Sequence, residues 1–192
     1  INPNLRDCNF PSKSLAGVGV AFYLMLALRT FLRDQGWFDE RGIAIPNLAE
    51  LLDLVALGTV ADVVPLDANN RILTWQGMSR IRAGKCRPGI KALLEVANRD
   101  PQKLAASDLG FALGPRLNAA GRLDDMSVGV ALLLCDNIGE ARVLANELDA
   151  LNQTRKEIEQ GMQVEALTLC EKLERSRDTL PGGLAMYHPE WH

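Results

Sequence analysis

Residues 57–66 have the sequence LGTVADVVPL, which places one acidic side chain, Asp62, inside an otherwise apolar run. Apolar residues between positions 48 and 57 recur at spacings that predict a mostly buried helix before it, and Pro65 closes the element. A carboxylate in such a setting is costly to bury unless a partner pairs with it. Two interpretations follow. Asp62 either caps the next helix or accepts backbone hydrogen bonds, as buried polar groups usually do, or it is a ligand for a hard divalent cation.

The composition is that of a folded protein. The chain has 192 residues, of which 47% are hydrophobic and 23% are charged, enough for a packed core and unlike a disordered chain. Its four cysteines are widely separated and form no Cys-x-x-Cys pair, which predicts reduced thiols in a cytoplasmic protein. The most apolar run, residues 15–28, is too short to span a bilayer and predicts a buried helix.

The sequence at both ends of the chain suggests that it is a segment of a longer protein. The chain begins with Ile1 rather than methionine, and it stops just after residues 184–187, which are predicted to form a strand. We therefore expect an internal segment of a longer protein that lacks some of the functional residues.

Charge is distributed unevenly, although the net charge is only −3. Residues 71–122 hold ten Lys and Arg against three Asp and Glu, whereas residues 123–178 hold six against twelve. This asymmetry indicates a basic surface for a polyanion beside an acidic, solvated helix. The alternative is that ordinary surface charges happen to cluster there.

Capping residues and prolines predict where the helices begin. The residues that mark these starts are Ser14, Asn47, Asp67, Pro88 and Ser107. Gly17 and Gly19, near the start of the first helix, would let a ligand or a neighbouring element approach the backbone, and tight packing is the favoured explanation. Gly114 and Pro115 are predicted to break or kink the helix that follows Ser107.

The second informative stretch is GPRLNAAGRLDD, residues 114–125. Arg116, Asn118 and Arg122 alternate there with small residues that let another group approach the backbone. A guanidinium offers a fixed fork of donors that matches phosphate oxygens, and an asparagine adds a neutral donor. The alternative is that an arginine pairs with one of the two aspartates at the end of the stretch and holds a turn.

A long amphipathic pattern occupies the C-terminal third. Asn137 and Glu140 form a capping-box pattern, and apolar residues then recur at helical spacing as far as Ser176. A continuous helix of about 39 residues would be roughly 58 Å long. That length suits a connector between two domains.

Four stretches together resemble the RecJ single-stranded-DNA-specific exonucleases, which belong to the DHH phosphoesterase superfamily. They are INPN followed by LAGVGVAF, then LGTVADVVPLDANNR, then LGPRLNAAGRLDD, and the long helix leading to YHPEWH. The similarity covers essentially the whole chain, and the second and third motifs together are highly specific. With this resemblance, the metal-ligand interpretation of Asp62 is favoured.

The resemblance implies a hydrolase of DNA repair and recombination that removes nucleotides from the 5′ end of single-stranded DNA with two Mn²⁺ or Mg²⁺ ions. Two metal ions activate the attacking water and stabilise the leaving oxygen of a phosphodiester. The implied catalytic residue and metal ligand is Asp62. The implied nucleic-acid-binding residues are Asn118 and Arg122, with Arg116 beside them. The family's remaining metal ligands lie N-terminal to this piece, so we expect the fragment alone to be inactive.

The expected fold is mainly α for the fragment. Residues 1–136 would be the C-terminal part of an α/β DHH phosphoesterase domain, and residues 137–178 a long interdomain connector helix. Residues 179–192 would be the truncated start, with the first strand, of a DHHA1-type domain. The expected partners are single-stranded DNA and other DNA-repair proteins, without a membrane, and the protein is expected to be a cytoplasmic monomer.

Two alternatives come from other functional classes. One is a different DHH phosphoesterase that acts on small nucleotides or pyrophosphate. The other is a non-catalytic helical module that binds nucleic acid, which the basic residues 71–122 alone would support. An Asp-His-His triplet shortly upstream of the chain would favour the enzymes over the binding module.

Overall fold

Nine α-helices form most of the part of the chain that is described by a computed structural model, which is residues 2–123, 125–176, 182–189 and 191. They are α1 (Gly17–Asp34), α2 (Trp37–Arg41), α3 (Leu52–Ala61), α4 (Ala68–Arg82), α5 (Pro88–Val96), α6 (Ala106–Asp108), α7 (Gly114–Leu123), α8 (Ser127–Leu134) and α9 (Ile138–Ser176). Short 3-10 turns, Leu48–Leu51 and Pro101–Lys103, precede α3 and α6, and a π-helical segment, Leu109–Leu113, joins α6 to α7.

The prediction of a mainly α fragment is confirmed. Among the residues described there is no strand, and residues 184–187, which were expected to form one, have no regular secondary structure. A strand needs a hydrogen-bonded neighbour, and within the ranges given above no second strand is present to supply it.

The main core lies between α3, α4, α5, α7, α8 and the first half of α9. Its largest fully buried side chains are Ile81, Ile90, Leu93, Leu94, Leu104, Leu109, Leu113, Leu132 and Leu148. Helix α3 contributes Ala56 and Leu57 to this core, and it contributes Leu52 and Val55 to a second cluster around Phe22 of α1. Apolar neighbours on two sides explain why α3 has no polar face.

The predicted helix starts are partly confirmed. Asp67 caps α4, since its Oδ1 accepts from the Asn70 N–H at 2.8 Å, and Pro88 is the first residue of α5. Asn47 accepts from the Ala49 N–H and opens the first 3-10 turn. The helix predicted after Ser14 is confirmed as α1, which begins at Gly17 and has no side-chain cap.

The predictions around residues 105–115 are wrong. Ser107 does not cap a helix. Instead Ala105 precedes α6, and its N–H donates to the Asp108 carboxylate at 2.8 Å. Gly114 and Pro115 do not break a helix, because a π-helical segment leads into α7, which begins at Gly114. Pro115 is therefore the second residue of α7, directly after the π-helical segment, and the Gly114 N–H before it donates to the Leu109 carbonyl.

A buried ion pair joins α3 to the start of α5. Asp53 is 1% exposed, and its carboxylate accepts from both the Arg87 backbone N–H at 3.0 Å and the Arg87 Nε at 3.2 Å. The same guanidinium donates to the Leu133 carbonyl at the end of α8. One arginine thus links three helices and satisfies a carboxylate that would otherwise be unpaired in the interior.

Helix α9 is confirmed as one continuous element of 39 residues. Asn137 caps it by accepting from the Gly139 N–H at 2.7 Å and the Glu140 N–H at 3.1 Å. Its first half packs on α5, α7 and α8 and buries Ala141, Ala145 and Leu148. Between residues 153 and 174 no side chain is buried, so the second half projects from the core. None of the helices described is long and apolar enough to cross a membrane.

Candidate functional site

Asp62 follows the last residue of α3 and is exposed. The expectation of a carboxylate in a mostly buried setting is therefore wrong, although the helix before it is buried as predicted. The physical reason is the position of the helix end: Val55, Ala56 and Leu57 lie in the interior, and α3 reaches the surface at its last turn. The Asp62 N–H donates to the Gly58 carbonyl at 3.0 Å. Its carboxylate makes no hydrogen bond or ion pair with any residue described.

The residue after Asp62 has an unusual backbone conformation. Val63 has φ of 54°, in the left-handed region, and its side chain is 86% exposed. A β-branched residue is a genuine outlier there, and such a conformation costs about 1–3 kcal/mol. The turn at Val63 ends α3 and leaves Asp62 at the surface.

Close backbone contacts fix the end of α3 between α1 and the segment leading into α7. A Cβ atom on Gly58 would lie 2.7 Å from Val18 Cγ1, and one on Gly114 would lie 3.2 Å from Ala61 Cβ. A Cβ atom on Gly110, in the π-helical segment, would lie 3.2 Å from Val60 Cγ1. Because these three positions are glycines, α1, α3 and the segment leading into α7 can pack closely together beside Asp62.

These contacts enclose one side of an open cleft of about 320 Å³. The residues that line it are Ala16, Gly17, Val18, Gly58, Ala61, Asp62 and Asn118. It brings together the exposed carboxylate of Asp62, the amide of Asn118 and the start of α1. The first N–H groups of α1 have no side-chain cap, and Gly17 presents open space above the backbone. An uncapped helix start attracts anions.

The structure thus brings Asp62 and Asn118 together but separates Arg116 from them. The Arg116 Nε donates to Asp149 Oδ1 of α9 at 2.7 Å, and its Nη1 donates to the Ala112 carbonyl at 2.7 Å. These partners connect α7 to α9. A nucleic-acid contact of Arg116 stays a prediction.

Arg122 belongs to α7 in its backbone, and its side chain lies outside what the structure describes. Of the two aspartates considered as its partners, Asp124 also lies outside the described residues. The Asp125 carboxylate accepts from the Ser127 N–H at 3.0 Å and from the Ser127 hydroxyl at 2.8 Å, which lowers the pKa of Asp125.

The basic segment at residues 71–122 divides into two parts. In its second part Arg99 pairs with Asp108 at 3.2 Å, and Glu95 pairs with Arg142 of α9 at 2.7 Å. Arg87 and Arg116 are also bridged to carboxylates, whereas Lys91 and Lys103 form no ion pair with any residue that the structure describes. The unpaired cations among the described side chains of this segment are thus concentrated on α4 and the turn that follows it.

Sequence reasoning missed two features: the uncapped start of α1 as part of the cleft, and the buried Asp53–Arg87 pair at the opposite end of α3 from Asp62. Gly17 was a usable signal for the first, since it follows a predicted cap by three residues. Asp53 offered no signal, because an acidic residue at this spacing is equally expected on a solvated helix face.

The site combines the carboxylate of Asp62, which can bind a hard cation, with N–H donors of Asn118 and α1, which can bind an anion. An exposed carboxylate is suited to Mg²⁺ or Mn²⁺, and the helix start and the Asn118 amide are suited to phosphate oxygens. Asp62 fits such a metal as one ligand of several. In the part of the chain described, no three His, Cys, Asp or Glu side chains converge as a complete metal site would require.

Similar sequences come from several bacteria. The chain is 98% identical, over all 192 residues, to the single-stranded-DNA-specific exonuclease RecJ of Escherichia coli strain K12. It is 62% identical, again over its full length, to RecJ of Haemophilus influenzae, and 35% identical over 176 residues to RecJ of Thermus thermophilus. No protein-family model matches the chain. The chain spans about a third of the length of the first of these relatives, 33% for the Escherichia coli protein.

The solved structures that match this chain are also those of RecJ proteins. A crystal structure of exonuclease RecJ bound to manganese matches 87% of this chain and 39% of its own chain, with a TM-score of 0.70 and 35% identity. A crystal structure of Thermus thermophilus RecJ in complex with Mg²⁺ matches 82% of this chain and 23% of its own chain, with a TM-score of 0.66 and 35% identity. The chain therefore resembles RecJ in sequence over its full length and in the fold of most of its residues.

Proposed function

We propose that this chain is a segment of a RecJ-type single-stranded-DNA-specific exonuclease and that it supplies one metal ligand and part of the phosphate-binding surface of that enzyme. The resemblance to RecJ sequences and structures supports the family. The observation that carries the site is the cleft in which the unpaired carboxylate of Asp62 lies with the Asn118 amide and the uncapped start of α1.

Asp62 would be one ligand of a two-metal site for Mn²⁺ or Mg²⁺. Such ions, when bound, supply Lewis-acid activation of water and stabilisation of the leaving oxygen. Asp62 holds its carboxylate free for that purpose, since no described side chain neutralises it. The glycine contacts of α3 with α1 and α7 hold the helix end in one place, and a metal ligand needs such a fixed position.

The other side of the cleft would hold the substrate phosphate. Asn118 would donate its amide N–H to a phosphate oxygen, and the first N–H groups of α1 would face the negative charge. Arg122 follows Asn118 on α7 by four residues, about one helical turn, and would add a guanidinium to the same phosphate. Asn118, Arg122 and the first N–H groups of α1 would thus hold the phosphate by its oxygens, and Asp62 would help to hold the cations that supply charge stabilisation.

The rest of the enzyme lies outside this chain. We infer that residues 1–136 are the C-terminal part of the DHH phosphoesterase domain, residues 137–178 connect it to the next domain, and residues 179–192 begin the DHHA1-type domain. The projecting second half of α9 supports the connector role. One carboxylate cannot fix two metal ions, so the isolated fragment would release no nucleotides. A cytoplasmic monomer acting on single-stranded DNA with other repair proteins completes the proposal.

The test is nucleotide release from 5′-phosphorylated single-stranded DNA by the full-length protein with Mn²⁺. Asp62→Asn should lower kcat by at least about a hundredfold, because loss of one ligand disables a two-metal arrangement. The matched control is Asp39→Asn, which changes another exposed aspartate, on α2, and should leave kcat unchanged. Near-normal turnover by Asp62→Asn at saturating Mn²⁺ would show that Asp62 is not a ligand.

A further inference from the structure

Helix α4 presents an outer face on which cations and an aromatic side chain lie in line. Arg71, Trp75 and Arg82 are separated by four and seven residues, so they lie along one side of the helix. All three are exposed, and Trp75 is 62% exposed, with Ile72 beside it. From Arg71 to Arg82 the face is about 16 Å long at the helical rise per residue.

No acidic side chain belongs to this part of the chain. Residues 68–94 contain six Lys and Arg and no Asp or Glu. One of these cations, Arg87, is neutralised by Asp53. The other five, Arg71, Arg80, Arg82, Lys85 and Lys91, form no ion pair within 4.0 Å with any residue that the structure describes.

The guanidinium groups on the face are held in place without loss of charge. The Arg71 Nε donates to the Leu66 carbonyl at 2.7 Å, and the Arg82 Nε donates to the Leu104 carbonyl at 3.0 Å. Both acceptors are neutral. Two carboxylates next to α4, Asp67 and Asp100, accept from backbone N–H groups at Asn70 and Gln102 and keep their negative charge. The unpaired cations of α4 and the following turn outnumber them, so the face keeps a net positive charge with partly fixed donors.

Fixed cations around an exposed aromatic ring are what a single-stranded nucleic acid requires. The cations contact the backbone phosphates, and the ring stacks with a base, whatever the sequence. Helices α3 and α4 are antiparallel, since a Cβ atom on Gly77 would overlap the backbone of Leu52 at the start of α3. The beginning of α4 is therefore near the end of α3, where Asp62 lies, and the face leads away from the candidate site.

We propose that the outer face of α4 is a second contact surface for single-stranded DNA, with a base stacked on Trp75 and phosphates on Arg71 and Arg82. This inference rests on the proposed function, because it extends the path of the same substrate strand beyond the cleft. An exposed aromatic ring between two guanidinium groups favours a strand of bases and phosphates over an acidic peptide, which has no base to stack on the ring.

The experiment measures binding and cleavage of a long oligothymidylate by the full-length protein. Trp75→Ala should weaken strand binding by roughly tenfold, the order found for loss of one base–aromatic stack, and Trp75→Phe should restore most of it. The double variant Arg71→Gln with Arg82→Gln should lower the slope of log affinity against log salt by about 1.4, since each single-strand phosphate contact contributes about 0.7. For Trp75→Ala and for the double arginine variant, kcat at saturating DNA should stay unchanged and KM should rise.

The matched control is Arg33→Gln with Arg41→Gln, which removes two exposed arginines from another face. It should leave both affinity and salt slope unchanged. Melting curves check that each variant is folded.

If the α4 variants bind the strand as tightly as the unchanged protein, or if the control weakens binding equally, the inference is wrong. If they bind the strand normally but lose affinity for polyglutamate, the face is a protein-docking surface instead. Because kcat reports on Asp62 and KM on α4, failure of one proposal is distinguishable from failure of the other.

Discussion

Gly58 of α3 packs directly against Val18 of α1, so closely that a Cβ atom on the glycine would lie 2.7 Å from Val18 Cγ1. Gly58 precedes Asp62 by one helical turn, and Val18 lines the same cleft as Asp62. Because residue 58 has no side chain, α1 can pack this close to the end of α3, where Asp62 lies.

Gly58→Ala should destabilise the protein. Overpacking costs typically about 1–3 kcal/mol, which exceeds the gain of up to about 1 kcal/mol from replacing a helical glycine. Chemical denaturation measures the change, and Gly161→Ala in α9 is the control, because nothing lies within 4 Å of a Cβ atom there. That control should be neutral or stabilising. Adding Val18→Ala to Gly58→Ala should restore part of the lost stability. If Gly58→Ala alone were as stable as the unchanged protein, the contact would not fix the site.

The buried pair of Asp53 and Arg87 should be more important for stability than any surface pair. Arg87→Ala leaves a carboxylate unpaired in the interior, which costs about 3–5 kcal/mol. The control is Arg33→Ala, which breaks an exposed pair with Asp34 and should cost less than about 1 kcal/mol. Equal effects of the two substitutions in a denaturant titration would contradict the assigned role of Arg87.

Asp67 should make folding stability depend on acid pH. Its carboxylate accepts from the Asn70 N–H and from the Ser12 hydroxyl at 2.6 Å, and these bonds lower its pKa in the folded state. A lowered folded pKa gives stability that is present above the unfolded pKa, about 3.9, and is lost as pH falls through the folded pKa. Asp67→Asn keeps a good helix cap but removes the titration. Its melting temperature should therefore fall less steeply below about pH 4 than that of the unchanged protein. Parallel curves for both proteins would contradict the assignment.

The two arginines of the GPRLNAAGR stretch should respond differently to substitution. Arg122→Gln in the full-length protein should flatten the salt dependence of single-strand binding by about 0.7 in log–log slope. Arg122→Lys should rescue it only partly, because an ammonium lacks the planar fork. Arg116→Gln breaks the bridge to Asp149 and should lower the melting temperature. A lowered melting temperature with an unchanged slope for Arg122→Gln would assign it a bracing role instead. A reduced slope for Arg116→Gln would confirm the DNA contact predicted for that residue.

The fold was predictable from sequence where local chemistry decides it. The cap at Asp67, the first-turn position of Pro88 and the full extent of α9 all follow from residues within a few positions. The π-helical segment before Gly114 did not follow, because its geometry depends on packing against Val60 and Ala61, which are distant in sequence.

Two residues that line the cleft, but not its environment, were predictable from sequence. Asp62 and Asn118 were identified from two separate motifs, and the cleft brings both together. The exposure of Asp62 was not predictable, since an apolar run does not reveal where its helix reaches the surface. The pairing of Arg116 with Asp149 depends on how α7 packs on α9, and hydrophobic periodicity does not specify such a contact.

We propose that Asp62 is a ligand for Mn²⁺ or Mg²⁺ in the active site of the full-length protein. Calorimetric titration of that protein with Mn²⁺, in the absence of DNA, tests it most directly and without dependence on turnover. We expect Asp62→Asn to lose one of the two bound ions or to weaken its binding by at least about tenfold, while Asp39→Asn binds as the unchanged protein does. Unaltered stoichiometry and affinity for Asp62→Asn would contradict the claim.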